Sequence, residues 1–223
     1  PEVIYNTATG FTADTFEQVT AADPTQIIAV NQAVDARTKG SLEEIAPTTV
    51  KPNGYEDWQV PWEKQVETIA DAVGKADEGD KLIDDTEKAF EEFRHEHAKL
   101  QDKSAAIVMP YDGKIGLYTE EDGRGQFIED LGMEIPDALQ GDGGSFFVDI
   151  APENYAKLNQ VDYLFVLDYN GSSDALKKDK TFQGLDVVKE GRVRYLDTDT
   201  GNAMSMPNPV TIPWAIDKFE EKL

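Results

Sequence analysis

Apolar residues recur along this chain with two periods, near 3.6 in some stretches and in short continuous runs in others. The helical period is strongest between Trp62 and Leu100. Trp62, Val66, Ile69, Ala70 and Val73 stand at i, i+4, i+7, i+8 and i+11, one stripe of a helix. Gly74 supplies a C-terminal stop and Asp77 a cap for a restart. Leu82, Thr86, Ala89, Phe90, Phe93 and Leu100 then continue a stripe, with Asp, Glu, Lys and Arg on the remaining positions. At 1.5 Å per residue this second helix spans roughly 30 Å. A narrow apolar stripe on a charged rod fits a strut touching two bodies, and it fits an ordinary surface helix equally well.

Shorter patterns flank this hub. Before it, the pattern predicts strands at 3–5, 26–30 and 48–50, with 26–30 an apolar β-branched run of the buried parallel kind. A helix is predicted at 14–22, capped by Thr12 or Asp14 with Phe16 and Val19 inward, and a helical turn at 41–45. After the hub, strands are predicted at 105–111, 115–118, 146–150, 163–167 and 192–196. Asp112-Gly113 is the hairpin signal joining the first two. Helices are predicted at 126–132, 152–158, 182–189 and 212–223, and loops at 120–124, 141–144 and 197–209. Both flanks are therefore α/β. The expected organisation is an N-terminal lobe at 1–61, a helical hub at 62–100 with its interlobe helix at about 77–98, and a C-terminal lobe at 101–223. The flanks also echo each other. Glu17 precedes Ile27 by ten residues and Glu153 precedes Tyr163 by ten, so each half has an acid-bearing helix feeding an apolar strand.

Composition narrows the function. The 223 residues carry 44 acidic against 21 basic side chains, a net charge of −23. That argues against nucleic acid or an anionic membrane surface, which require clustered Lys and Arg. With no cysteine, disulfides, thiolate zinc sites, thiol catalysis and iron–sulfur clusters are excluded. No run of about 18 apolar residues offers a membrane span. The chain opens at Pro1-Glu2-Val3-Ile4-Tyr5, which is strand-like and without Met, as in a processed, trimmed or truncated product.

Catalytic patterns are missing. His95 and His97, the two histidines, are spaced to point to different sides of a helix, so no His-based metal site is expected. The run Asp197-Thr198-Asp199-Thr200-Gly201-Asn202 has a calcium-loop flavour but lacks the final Glu and is assigned as a turn. Gly123-Arg124-Gly125 ahead of a helix offers backbone N–H groups to an anion without completing a nucleotide motif. Binding groups are better supplied. Trp58, Tyr111, Tyr118, Tyr169 and Trp214 fall in or beside loops, as does Tyr55, and the scarce arginines Arg37 and Arg124 sit where strands feed loops.

Several segments together resemble a family. Residues 14–29, from Asp14-Thr15-Phe16-Glu17 to Pro24-Thr25-Gln26-Ile27-Ile28-Ala29, are similar to the helix and "P-D-L-I-I-A" strand of the iron–siderophore binding proteins of ABC importers. Leu42-Glu43-Glu44-Ile45-Ala46-Pro47-Thr48 resembles their "L-x-x-I-A-P-T" segment. Trp58, Trp62-Glu63-Lys64-Gln65 and Ala72-Val73-Gly74-Lys75 resemble their "W…W-x-x-Q…A-L-G-K" run. Gly191-Arg192-Val193 and Asn208-Pro209-Val210-Thr211-Ile212-Pro213-Trp214 resemble their late strand and closing helix. The resemblance covers essentially the whole chain. It implies an α/β fold of two Rossmann-like lobes with parallel-rich sheets bridged by a long α-helix, and no catalysis. It implies an extracytoplasmic, monomeric protein with no cofactor and no resident metal, which captures a ferric siderophore between its lobes and delivers it to an ABC permease. Ligand contacts are then expected at Arg37, Trp58, Tyr111, Tyr118, Arg124, Tyr169 and Trp214, and permease docking at Glu17 and Glu153. Family members carry a further strand–helix–strand region ahead of the position of Pro1, in many cases behind a lipid-anchored cysteine, so the first lobe is expected to be incomplete here. Haem or cobalamin as ligand, a nucleotide-dependent enzyme using Gly123 to Gly125, and a ligand-free interaction domain stand as alternatives.

Overall fold

The computed structural model describes residues 10–223, so the strand expected at 3–5 lies outside the described residues. The chain divides between Asp80 and Lys81 into two compact units. Among the described residues no helix is long and apolar enough to cross a membrane.

In the first unit, α1 (Ala13–Ala21) begins at a capping box in which the Thr15 N–H donates to Thr12 Oγ1 at 3.3 Å. β1 (Ile27–Ala29) pairs in parallel with β2 (Thr48–Val50), Ile27 opposite Thr48. Between them, α2 (Ala36–Glu43) starts well before the turn expected at 41–45. Asp35 caps it, accepting the Thr38 N–H at 2.7 Å, and this supports a first turn otherwise poor in apolar residues. α3 (Trp62–Ala72) follows, with Trp62 2% and Ala70 8% exposed. Gly74 closes it at φ +69°, a left-handed conformation suited to glycine. The chain then restarts directly as α4 (Ala76–Glu96), which runs unbroken for 21 residues through the unit boundary. Gly79 makes the tight α3–α4 approach, since a Cβ there would fall 2.5 Å from Ala70 Cβ. β1 departs from the sequence expectation: Ile28 is 40% exposed, not buried.

The second unit is built on a five-stranded sheet in the order β5-β4-β3-β6-β7. β3 (Ala105–Tyr111) and β4 (Lys114–Tyr118) form the expected hairpin, with Asp112 and Gly113 both at positive φ. After it come α5 (Gly123–Asp130), β5 (Phe147–Ile150), β6 (Tyr163–Asp168) and β7 (Val193–Asp197). β6 lies between β3 and β7 and is parallel to both. The segment Pro152–Gln160 is 3₁₀ rather than α, as its opening Pro and short apolar spacing permit. The 170–179 stretch holds α6 (Ser173–Leu176). The helix expected at 182–189 is two short ones, α7 (Lys180–Gln183) and α8 (Asp186–Lys189), separated at Gly184 and Leu185.

One expectation is overturned outright: the loop assigned to 197–209 contains α9 (Thr198–Ser205). The calcium-like Asp197 is its N-cap, accepting from the Thr200 N–H at 2.9 Å and Thr200 Oγ1 at 2.8 Å, which also holds its carboxyl below the usual range. α10 (Thr211–Glu220) ends the fold.

Alternation sorts the sheet residues onto two faces. Ala106, Val108, Ile115, Leu117, Leu164 and Val166 pack with Tyr155, Leu176, Phe182 and Val187. On the other face, Phe165 meets Phe219 at 4.4 Å between ring centroids, and Phe127 meets Phe90 of α4 at 5.7 Å and Phe219 at 6.0 Å. Phe90 and Phe93 thus sink the far part of α4 into the second unit, while Leu82, expected in the stripe, is 49% exposed.

Candidate functional site

The second face of the sheet runs out from its phenylalanine core into a polar, aromatic strip. Pairing register places the strip: Tyr111 lies opposite Lys114, Met109 opposite Gly116, and Tyr118 opposite Phe147. Directly opposed residues share a face, so these side chains must meet. Phe147 lies 5.5 Å from Tyr111 and 5.4 Å from Tyr118, ring centre to ring centre. Its ring covers Gly116, where a Cβ would fall 1.9 Å from Phe147 Cζ. Glycine at 116 is thus what lets the aromatic ring lie across the strand. Phe146, 38% exposed, extends the strip at 6.3 Å from Phe147. At the other end, the Tyr111 hydroxyl donates to Asp149 and Lys114 Nζ donates to the same carboxylate at 2.6 Å. Lys114, then Tyr111, hold the Asp149 carboxyl below its usual range.

Arg124 crowns the strip. Its guanidinium carbon stands 3.6 Å from the centre of the Tyr118 ring. Asp122, the N-cap of α5, holds it in a two-pronged contact: Nε donates to Oδ1 at 2.7 Å and an Nη to Oδ2 at 2.8 Å. The same Oδ1 accepts the Arg124 N–H at 2.9 Å. The ion pair is largely buried, with the two side chains 14% and 7% exposed. Burial opposes the Arg124 charge, and the hydrogen-bonded Asp122 carboxylate outweighs it, holding the guanidinium above its ordinary range. Burial likewise pushes the Tyr118 hydroxyl up to about 12, so it stays a neutral donor, 3.6 Å from Met109 Sδ. Tyr169, in the turn after β6, acts electrostatically on both Tyr118 and Arg124, and its hydroxyl lies so close to Gly201 that a Cβ there would fall 2.8 Å from it.

Four of the expected ligand residues therefore converge in the second unit: Tyr111, Tyr118, Arg124 and Tyr169. Trp214 stands on α10, 40% exposed, in an apolar stretch shared with Met206 and Val210. Arg37 and Trp58 belong to the first unit. Arg37 is exposed in the first turn of α2 and lines a depression of about 430 Å³ with Phe11, Phe16 and Asp35. Trp58 is 40% exposed in a loop at φ +69°. Glu17 on α1 and Glu153 on the 3₁₀ segment are both exposed. Asp122, Phe147 and Met109 were missed from sequence, since only strand register and a helix cap bring them to Tyr118 and Arg124.

The glycines that suggested a phosphate cradle have other work. A Cβ at Gly125 would fall 1.8 Å from the Thr119 carbonyl oxygen, and one at Gly123 2.9 Å from Pro207 Cδ. The N-terminus of α5 is filled by the Asp122 carboxylate, which an incoming phosphate would have to displace. One group of metal-capable side chains exists among the described residues, Glu96, His97 and Glu220, at the far ends of α4 and α10.

Solved structures carry the same architecture. The iron uptake ABC transporter substrate-binding protein PiaA from Streptococcus pneumoniae TIGR4 is 25% identical with a TM-score of 0.80, over 97% of this chain and 75% of that one. The same protein in complex with ferrichrome is 26% identical with a TM-score of 0.79, over 92% of this chain and 71% of that one. Staphylococcus aureus SirA, 21% identical with a TM-score of 0.74 over 94% of this chain and 79% of that one, shares the fold. No curated protein matches the chain. Residues 7–200 match the periplasmic binding protein family, and with that span covering most of its length the chain belongs to this family of binding proteins, which are not enzymes.

Proposed function

We propose that this protein captures a ferric siderophore and delivers it to an ABC permease, and that the Tyr111–Phe147–Tyr118 strip with Arg124 is the ligand face of its second unit. The observation carrying this reading is Arg124, fixed by Asp122 at 2.7 and 2.8 Å while lying 3.6 Å above the Tyr118 ring. A siderophore already surrounds its iron with oxygen, so its receptor needs stacking surface and oriented donors rather than metal ligands. The strip offers both, and the metal-capable side chains described above lie elsewhere. The ferrichrome held by PiaA supports an iron chelate as the ligand class. The charge balance favours a neutral complex of the hydroxamate type. Asp122 cancels the Arg124 cation, and Asp149 balances Lys114, so the face presents donors without a net positive field for a polyanionic catecholate.

Arg37, Trp58 and Trp214 complete the ligand set in this reading. Glu17 and Glu153, both exposed, dock onto basic sockets of the permease in this reading, and the protein works as a monomer outside the cytoplasm.

The test is a titration with ferrichrome, a ferric tris-catecholate, haem and cobalamin, following tryptophan fluorescence. Ferrichrome is expected to quench with submicromolar affinity and the others weakly. Arg124→Ala should weaken binding about tenfold or more, the scale of one charge-assisted contact. Preferred quenching by haem or cobalamin would move the ligand class, and no response to any of the four overturns the reading.

A further inference from the structure

We propose that Glu96, His97 and Glu220 form a site for a divalent transition-metal ion of the zinc class, which ties the end of α4 to the end of α10. One donor atom from each of the three lies within 4.8 Å of the others. Glu96 is the last residue of α4 and Glu220 the last of α10. The C-terminal poles of two helices, each a partial negative charge, thus coincide with two carboxylates, and a cation is the natural occupant of that field. Lys218, the nearest basic side chain on α10, is engaged with Glu221 at 2.5 Å.

His97 is the part that sequence spacing could not reveal. Its partner is not His95 but Glu220, 123 positions away, with Nε2 2.6 Å from Oε1. The imidazole is held rather than free. It packs on the Phe93 ring at 4.5 Å, its backbone N–H donates to the Phe93 carbonyl at 2.8 Å, and its side chain is 25% exposed. One held nitrogen and two exposed carboxylates suit zinc or a neighbouring first-row ion, with water completing the shell. Tetrahedral ligands at about 2.1 Å stand about 3.4 Å apart, so the His97–Glu220 contact needs to open by less than 1 Å or so.

The chain has two histidines, so nitrogen-15 spectra of the imidazole rings during a Zn²⁺ titration give a readout with an internal control. The expected result is a shift of the His97 ring that saturates at one equivalent, with His95 unmoved. Glu96→Gln and Glu220→Gln should each weaken Zn²⁺ at least about tenfold, since even outer partners of metal ligands are worth ~10–100-fold. Glu91→Gln, an exposed change of equal charge on the same helix, should leave the affinity alone. Diffuse binding to an acidic surface would move both rings together without saturating. That outcome, no shift at all, or an affinity unchanged in Glu220→Gln overturns the proposal. The wild-type ring shifts stand without any variant, and Zn²⁺ alone is the probe, so the result is independent of the siderophore titration.

Discussion

The two acid-bearing segments that echo each other in sequence fold differently. Glu17 rides on a regular α-helix capped by Thr12, and the strand that follows leaves Ile28 40% exposed. Glu153 rides on a 3₁₀ segment without a side-chain cap, and the strand after it holds Leu164, Phe165, Val166 and Leu167 at 0%. The strand residues are comparably apolar. What differs is the company: β1 has one neighbour among the described residues, whereas β6 lies between β3 and β7 with both faces covered. A strand's burial is a property of its sheet, and only weakly of its own letters.

That contrast can be broken by substitution. Leu164→Ala should cost about 2–5 kcal/mol in denaturant unfolding, the range for a fully buried leucine. Ile28→Ala should cost well under half of that, its side chain being 40% exposed; equal losses would erase the distinction. The next largest effect concerns the packed face of the second unit. Tyr118 titrates near 10 when unfolded and at about 12 when folded. The folded state therefore holds this proton more tightly. The contribution of this one group is constant below pH 10 and falls by about 2–3 kcal/mol as pH rises to about 12, and Tyr118→Phe should flatten that limb in unfolding curves. Gly116→Ala should follow at about 1–3 kcal/mol by overpacking, with a parallel loss of ferrichrome affinity as the Phe147 ring is displaced. Smallest is Thr12→Ala, about 0.5–2 kcal/mol from the lost cap, seen as faster amide exchange confined to α1.

Much of this architecture was legible. β2 and β3 fell where expected because apolar runs there are bounded by unambiguous turn residues, Pro52-Asn53-Gly54 and Asp112-Gly113. The long helix was legible from Phe90 and Phe93, whose spacing survives a surrounding sea of charge. Errors arose where one residue had two meanings. Asp197 and Asp122 looked like loop acids or a cation ligand, yet each is a helix cap, so α9 was missed and the expected start of α5 fell three residues late. At the proposed ligand face, Tyr118 and Arg124 stood out as residue types, but Phe147 reached them through antiparallel register and Asp122 through a cap. Neither relation is written in local composition. Likewise His97 and Glu220 become neighbours only because α4 and α10 pack together, Phe93 of one against Phe219 of the other.

The unbroken passage of α4 through the unit boundary has a practical consequence for anyone wishing to cut this protein in two. Lys81 begins the second unit, with its side chain 80% exposed, which on sequence grounds makes it an inviting tryptic site. Its backbone, however, lies inside a continuous ladder of helical hydrogen bonds, and a protease needs an extended strand of substrate. Cleavage there must wait for α4 to open, and its rate then measures the helix's own opening equilibrium. Trypsin should therefore nick exposed loops first, and a fragment ending at residue 81 should emerge only as the helix melts.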